Sequence, residues 1–212
     1  SAEFLATALN ALRQRHPHID MLGLGMDFSA GLSLPDSVRA GRRVFFYPGS
    51  SIGNFTPLAA LALLSDIRRH CDAAGGLLIG VDLVKDPQVL EAAYNDALGV
   101  TSAFNLNLLN HVNRIIGSDF SLHDWQHRAW FDARLSRIEM HLEARDAVTV
   151  TWPGGERRVR QGERIHTENS YKYQLEDFHE LLRQAGFGSV QTWTDERQWF
   201  AVCLATRPRS GN

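Results

Sequence analysis

The sequence predicts an α/β fold with a parallel sheet at its core and an inserted lobe of mixed helices and strands. Helical and strand-like segments alternate along residues 1–86, which is the pattern of a parallel sheet covered by helices. The alternation stops after residue 86, where a helical stretch precedes strands with alternating polar and apolar residues. We therefore predict a core at 1–86, an inserted lobe at about 87–172, and a carboxy-terminal helix and antiparallel strand pair of the core at 173–212.

Five elements are predicted in the first part of the chain. A helix begins almost at the first residue and stops before His16-Pro17. Thr56-Pro57 supplies an N-cap and a proline at the first helical position, so a second helix begins there. Continuous apolar runs are typical of strands that are buried on both faces of a parallel sheet. The predicted helices cover Ala2–Arg15 and residues 56 to about 71, and the predicted strands cover Met21–Met26, Val44–Tyr47 and Leu77–Leu83.

The three predicted strands lead into residues that could bind a ligand. In an open α/β sheet, ligands bind beyond the carboxyl ends of the strands. We expect the three strands to lie side by side and parallel, so that one edge of the sheet carries Asp27, Gly49 and Asp82.

The remaining elements differ in character from the first five. Residues 87 to about 114 are predicted to be helical, and two antiparallel segments, 128–144 and 147–160, are expected around the turn Gly154-Gly155. An amphipathic helix is predicted from Leu175 to Ala185, where Gly186 ends it. The last two strands are predicted at Val190–Trp193 and Trp199–Thr206.

The composition excludes several classes of protein. With 212 residues, 22% of them charged, and a formal net charge of −2, the chain offers no basic surface for nucleic acid. Its apolar runs are far shorter than the roughly 20 residues that cross a bilayer, and no leader-like segment opens it, so we expect a cytoplasmic protein. Cys71 and Cys203 are predicted to be buried thiols. A homo-oligomer is compatible with this composition.

The segment Gly49-Ser50-Ser51-Ile52-Gly53 matches the Gly-x-Ser-x-Gly pattern of serine hydrolases. In that motif the helix begins at the serine itself, whereas the helix signal here is Thr56-Pro57. Three interpretations remain: a hydrolase that uses Ser51, a plain connecting turn, and a loop whose glycines let the backbone approach a ligand. The last is favoured, because Asn54 adds an amide that both donates and accepts hydrogen bonds.

His123 and His127 are four residues apart, which on a helix would bring both rings to one side, as in zinc sites. A zinc site needs a further protein ligand, and no glutamate follows His123. We therefore predict no metal site here.

Glu168 and Ser170 stand two residues apart after a strand-like stretch, so they are predicted to share one face. A carboxylate and a hydroxyl together suit the two nitrogens of an imidazole ring. The alternative is a helix entrance that is capped by Thr167 or Ser170.

Six blocks in order along the chain form a combined pattern. They lie at residues 46–57 (Phe-Tyr-Pro-Gly-Ser-Ser-Ile-Gly-Asn-Phe-Thr-Pro), 80–87 (Gly-Val-Asp-Leu-Val-Lys-Asp-Pro), 93–105, 136–142, 168–170 and 193–207. On these blocks, which extend over essentially the whole chain, the sequence resembles the histidine Nα-methyltransferases of ergothioneine biosynthesis. The resemblance implies a class I methyltransferase fold: a Rossmann-like sheet, amino-terminally incomplete, with an inserted α+β substrate-binding lobe.

The resemblance also implies a reaction and a substrate site. Members of this family make hercynine by transferring methyl groups from S-adenosylmethionine to the α-amino group of L-histidine. By position, Asn54 is implied to be the catalytic residue, binding the amino group beside the Gly49 carbonyl, and Tyr94 is implied to hold the carboxylate. The residues implied to hold the imidazole ring are Glu168, Ser170 and Met140.

The implied cofactor is S-adenosylmethionine. Asp27 and Phe28 match the acidic-aromatic step beside its adenine, and Ser51 is implied to lie by the cofactor in the glycine loop. The glycine-rich loop after the family's first strand and the acid that holds the ribose would precede Ser1. We therefore expect a fragment whose cofactor binding depends on preceding segments.

Three other functions stay open at this point. The chain could methylate another amino acid or amine, which would change the residues around Met140 and Glu168. It could be the serine hydrolase considered above. It could also be a truncated relative that binds a partner without catalysis.

Overall fold

The computed structural model describes residues 2–26, 31–39 and 41–207. No helix in this part of the chain is long and apolar enough to cross a bilayer. The α-helices are α1 (Ala2–Arg15), α2 (Pro57–His70), α3 (Pro87–Tyr94), α4 (Val100–Ile116) and α5 (Leu175–Gln184). The strands are β1 (Val44–Tyr47), β2 (Gly76–Asp82), β3 (Trp125–Asp132), β4 (Arg137–Ala144), β5 (Val148–Trp152), β6 (Gly155–Val159), β7 (Arg164–Tyr171), β8 (Ser189–Thr194) and β9 (Phe200–Thr206).

A four-stranded sheet forms the core, with the strand order β1, β2, β9, β8. β1 and β2 are parallel, with Tyr47 opposite Ile79, which confirms the predicted parallel pair. β9 runs antiparallel between β2 and β8, which confirms the predicted strand pair at the end of the chain. Side chains of α2 and α5, including Leu64 and Phe178, pack with the sheet in one buried cluster. Both cysteines are buried and free, as predicted.

The predicted strand Met21–Met26 is wrong. This segment has no regular secondary structure, and Leu22 is 56% exposed. A short apolar run forms a stable strand only where neighbouring strands pair with it. In the described residues β2 is the only strand that pairs with β1. Asp27 lies outside the described residues, so its expected place at the edge of the sheet stays a prediction.

The lobe contains a second sheet, in which β4 lies between β3 and β7 and all neighbours are antiparallel. β5 and β6 form a separate hairpin around Gly154, whose φ of +97° suits glycine. The hairpin confirms the strands predicted around Gly154, whereas the predicted segment 128–144 forms two strands, β3 and β4, that pair with each other and not across that turn. Leu109 of α4 packs against the sheet side chains Trp125 and Leu142.

The helix predicted from residue 87 to about 114 is divided into α3 and α4 by residues 95–99. The Asp96 carboxylate accepts hydrogen bonds from the backbone N–H groups of Val100 (2.9 Å) and Thr101 (2.8 Å). Gly99 precedes α4 with a φ of +70°. Because a side-chain oxygen satisfies the first free N–H groups of α4, a new helix begins there.

The two sheets meet where β7 ends. The backbone N–H of Tyr173 donates to the Asp82 carbonyl (3.1 Å), and the N–H of Val84 donates to the Tyr173 carbonyl (3.0 Å). The Ser136 hydroxyl donates to the Lys172 carbonyl at 2.7 Å. The first two bonds bring the carboxyl end of β7 beside the carboxyl end of β2, and the third holds Lys172 against the turn before β4.

Gly53 is expected to be essential for this junction. A Cβ at Gly53 would lie 2.8 Å from the Tyr171 carbonyl oxygen, and a backbone atom cannot easily move aside. Gly53→Ala should therefore reduce the free energy of unfolding by about 1–3 kcal/mol in urea denaturation. Gly25→Ala is the matched control, because its Cβ would meet nothing within 4 Å. Equal losses in the two variants would contradict the close contact.

Candidate active site

A polar cavity of about 470 Å³ opens where the core sheet meets β7. It lies beyond the carboxyl ends of β1 and β2, which is the edge where an α/β sheet binds its ligands. The residues that line it are Gly49, Ser50, Ser51, Asn54, Asp82, Tyr94, Glu168, Ser170, Lys172 and Phe200. Six of the nine site residues predicted from the sequence are therefore brought together: Gly49, Ser51, Asn54, Tyr94, Glu168 and Ser170.

The loop after β1 forms one wall of this cavity. Gly49 (φ +77°) and Ser50 (φ +59°) both adopt the left-handed conformation and turn the chain sharply. The Ser50 hydroxyl accepts a hydrogen bond from the backbone N–H of Asp82 at 2.8 Å, which ties the loop to the end of β2. A single 3-10 turn, Ser51–Asn54, then presents its two exposed end residues at the cavity.

A hydrogen-bonded cluster of four side chains also lines the cavity. Tyr94, the last residue of α3, donates its hydroxyl proton to the Ser170 hydroxyl at 2.8 Å. The Lys172 ammonium donates to both hydroxyl oxygens and forms an ion pair with Asp82 at 2.8 Å. Lys85 also pairs with Asp82. A phenol has one proton to donate, so this bond competes with the carboxylate contact that the resemblance implies for Tyr94, and that contact stays a prediction.

Glu168 lies on β7, half-buried in the same cavity. The helix entrance considered as an alternative for this segment is therefore wrong, because strand residues 168 and 170 face the same side. Burial raises the pKa of the Glu168 carboxyl above its ordinary value, and the nearby charge of Lys172 opposes this shift. The carboxylate is thus an acceptor whose charge is disfavoured by its partial burial.

Met140 is the one predicted site residue in the described part of the chain that does not line the cavity. Met140 is buried behind it, in a cluster with Leu90 and Ile138, and stands opposite Glu168 on the neighbouring strand β4. Asp27 and Phe28 lie outside the described residues. The roles implied for these three residues stay predictions.

The structure adds Lys172, Asp82, Ser50 and Phe200 to the residues that line the site. Asp82 was predicted at this edge without a role, and Lys172 was not predicted as a site residue. One signal for Lys172 was present: residues 168, 170 and 172 continue the two-residue period of a strand face. Nothing comparable in the sequence pointed to Phe200.

The geometry argues against the hydrolase and the helical zinc site. Ser51 begins a 3-10 turn and α2 begins only at Pro57, so the strand–serine–helix elbow is missing. His127 lies on a strand, where its ring accepts a hydrogen bond from the Asn105 amide (2.9 Å) and donates one to the Tyr94 carbonyl (2.8 Å). These bonds hold α3 and α4 together, which is a structural role.

A second group of potential metal ligands lies on β4 and β7. Each of these residues offers one ligand atom, and the three atoms, from Glu139, His141 and His166, lie within 4.8 Å of one another. Arg137 is hydrogen-bonded to Glu139 and keeps the pKa of that carboxyl low. Because the carboxylate already has a cationic partner, Glu139 needs no metal ion to balance its charge.

Comparisons with known proteins identify the family. A family model described as histidine-specific, S-adenosylmethionine-dependent methyltransferase matches residues 1–207. The chain belongs to this family. A histidine N-alpha-methyltransferase of Mycolicibacterium smegmatis is 38% identical over 208 residues, and one of Mycobacterium tuberculosis is 33% identical over 217 residues. Each alignment covers 97% of this chain and 64% of the relative, so the chain spans less than two thirds of these proteins.

Solved structures support the fold of this methyltransferase family. The crystal structure of an S-adenosylmethionine-dependent methyltransferase from Clostridium acetobutylicum superposes with a TM-score of 0.53. The match covers 98% of this chain and 72% of that protein at 12% identity, so it bears on the fold alone. The predicted class I, Rossmann-like architecture is confirmed.

The half-buried carboxylate of Glu168 should make the protein less stable at neutral pH in the absence of a ligand. Since the folded protein raises the pKa of this group, the destabilisation is present above the folded pKa and disappears as pH falls towards the ordinary value of 4.5. Glu168→Gln should therefore raise the melting temperature at neutral pH, and this gain should vanish in acid. Thermal unfolding across pH measures it, with the exposed Glu156→Gln as control. A gain that does not depend on pH would contradict the assignment.

Proposed function

We propose that this protein transfers methyl groups from S-adenosylmethionine to the α-amino group of L-histidine, forming hercynine in ergothioneine biosynthesis. One observation carries the proposal. The amide of Asn54, the carboxylate of Glu168 and the hydroxyl of Ser170 line a single polar cavity beside a glycine loop at the ligand edge of the sheet. Family membership and two relatives named histidine N-alpha-methyltransferase support the same reaction.

The residues present are compatible with one part of the cofactor. An added Cβ at Gly49 would meet nothing within 4 Å, so the backbone there is open to a close approach by a ligand. Ser51 is exposed on the same cavity. When bound, S-adenosylmethionine supplies a sulfonium methyl group for direct displacement.

Direct displacement explains which groups the chain supplies. The protein needs no covalent nucleophile, but it must hold an unprotonated amine on the line of transfer. Asn54 orients the amine through its amide, and Glu168 accepts a hydrogen bond from the imidazole ring at the other end of the substrate. Two anchors from different elements that line the cavity restrict the substrate to one orientation. Ring packing by Met140 completes the proposal, and Tyr94 contributes through its hydrogen bond to Ser170 rather than through the substrate carboxylate.

The direct test is methyl transfer by the full-length protein. Incubation with S-adenosylmethionine and L-histidine should give histidine that is methylated on its α-nitrogen, detected by mass spectrometry with a labelled methyl group. Other amino acids at the same concentration should react far more slowly, because a buried polar site discriminates by factors of about 10⁴ against analogues that leave its groups unpaired. Methylation of a different amine, or of no amine at all, would contradict the proposal.

Glu168→Ala should change the substrate preference. Losing a charge-assisted hydrogen bond costs roughly 1.5–3 kcal/mol, so histidine should lose about tenfold to a hundredfold in kcat/KM. Tryptophan should be accepted better, because the shorter side chain enlarges the cavity. Competition kinetics between histidine and tryptophan measures the ratio, with Glu156→Ala on the β5–β6 hairpin as the control. An unchanged ratio would show that Glu168 has no part in selecting the ring.

A further inference from the structure

Lys172 is a buried charged residue that the proposed mechanism does not use. It is only 3% exposed. Its Nζ lies 2.9 Å from the Tyr94 hydroxyl, 2.8 Å from the Ser170 hydroxyl and 2.8 Å from Asp82 Oδ2. An ammonium group carries three N–H donors and no acceptor, so these three contacts use all of its hydrogen-bonding capacity.

These contacts determine which hydrogen bonds Ser170 can still make. A hydroxyl oxygen has two lone pairs and one proton. Lys172 occupies one lone pair of the Ser170 oxygen, and the Tyr94 hydroxyl proton occupies the other. The Ser170 oxygen therefore cannot accept another hydrogen bond. Ser170 can bind a ligand only by donating its own hydroxyl proton.

The cavity thus offers a donor and an acceptor from neighbouring positions on β7. Ser170 can only donate, and the carboxylate of Glu168 can only accept. A ligand that pairs with both must have one N–H group and one nitrogen with a free lone pair. A neutral imidazole ring meets this requirement. An imidazolium ion has two N–H groups, and an indole has no acceptor nitrogen.

We propose that Lys172 is a positioning residue that makes this site select the neutral imidazole ring in a single tautomer. The inference rests on the proposed function and specifies the protonation state of the substrate. Lys172 acts through Ser170 and Tyr94, whose lone pairs it occupies. Its positive charge, held in a buried position, also repels an imidazolium ion. The other charged or titratable groups that face the cluster are Asp82 from β2, Lys85 beside it, Tyr94 from α3 and Glu168 from β7.

The experiment compares two ligands whose rings titrate differently. Histidine has a ring pKa of about 6.5, so its neutral fraction falls about tenfold between about pH 7.5 and about pH 5.5. 2-Fluorohistidine stays neutral over this range, because its fluorine withdraws electrons from the ring. Calorimetry on the full-length protein, with S-adenosylhomocysteine present to prevent turnover, gives both dissociation constants. The ratio of the two dissociation constants is not affected by titration of Glu168 or by loss of folded protein, because each of these changes alters both dissociation constants by the same factor.

In the unmodified protein the affinity of histidine relative to 2-fluorohistidine should fall about tenfold over this pH range. In Lys172→Met the Ser170 oxygen regains a lone pair and the repelling charge is removed, so the ratio should change less than about twofold. Tyr94→Phe also frees one lone pair of the Ser170 oxygen but keeps the charge of Lys172. The affinity ratio in this variant should therefore change by a factor between those of the unmodified protein and of Lys172→Met. This second variant serves if Lys172→Met does not fold.

Lys85→Met is the matched control, because Lys85 pairs with Asp82 but lies outside the hydroxyl cluster. It should retain the tenfold change. A ratio that does not depend on pH in the unmodified protein would overturn the inference and leave the proposed function intact. A tenfold change that persists in both Lys172→Met and Tyr94→Phe would remove the role of Lys172. Failure to bind either ligand at any pH would overturn the proposed function together with this inference.

Discussion

The site depends on a buried ammonium group at the place where the two sheets meet. Removing a charge from water costs several kcal/mol, so Lys172 must have close partners wherever it is buried. Its partners come from three elements: Asp82 from the end of β2, Tyr94 from the end of α3, and Ser170 from β7. The need to satisfy one charge therefore fixes the relative positions of a core strand, a lobe helix and a lobe strand. The cavity lies among them.

The loop after β1 completes the site through backbone geometry. The Ser50 hydroxyl links this loop to the end of β2, and Gly53 lets the 3-10 turn approach β7 more closely than any side chain would allow. One hydroxyl bond and one close backbone contact thus hold the polar groups of this loop at the cavity. No residue in the described part of the chain forms an ion pair with Glu168, so its carboxylate is available for a ligand at some expense to stability.

Local patterns predicted most of the elements, because their causes lie within a few residues. The Thr56 side chain accepts a hydrogen bond from Ala59 at the start of α2, as an N-cap followed by proline implies. The apolar run of β2 is buried on both faces. The errors arose where a distant partner or a local cap decides the outcome. Met21–Met26 has no neighbouring strand in the described residues, and Asp96 begins a new helix inside a stretch of helical pattern.

The amino-acid sequence by itself determined the alternation of elements, the glycine loop, the shared face of Glu168 and Ser170, and the resemblance to a methyltransferase family. These features depend on composition and on spacings of a few residues. Only the tertiary structure decided that Tyr94 and Ser170, 76 residues apart, share a hydrogen bond and that Lys172 joins both to Asp82. The reason is physical. A lysine in a sequence is expected to be solvated, and its burial follows only when separate segments bring enough acceptors to one point.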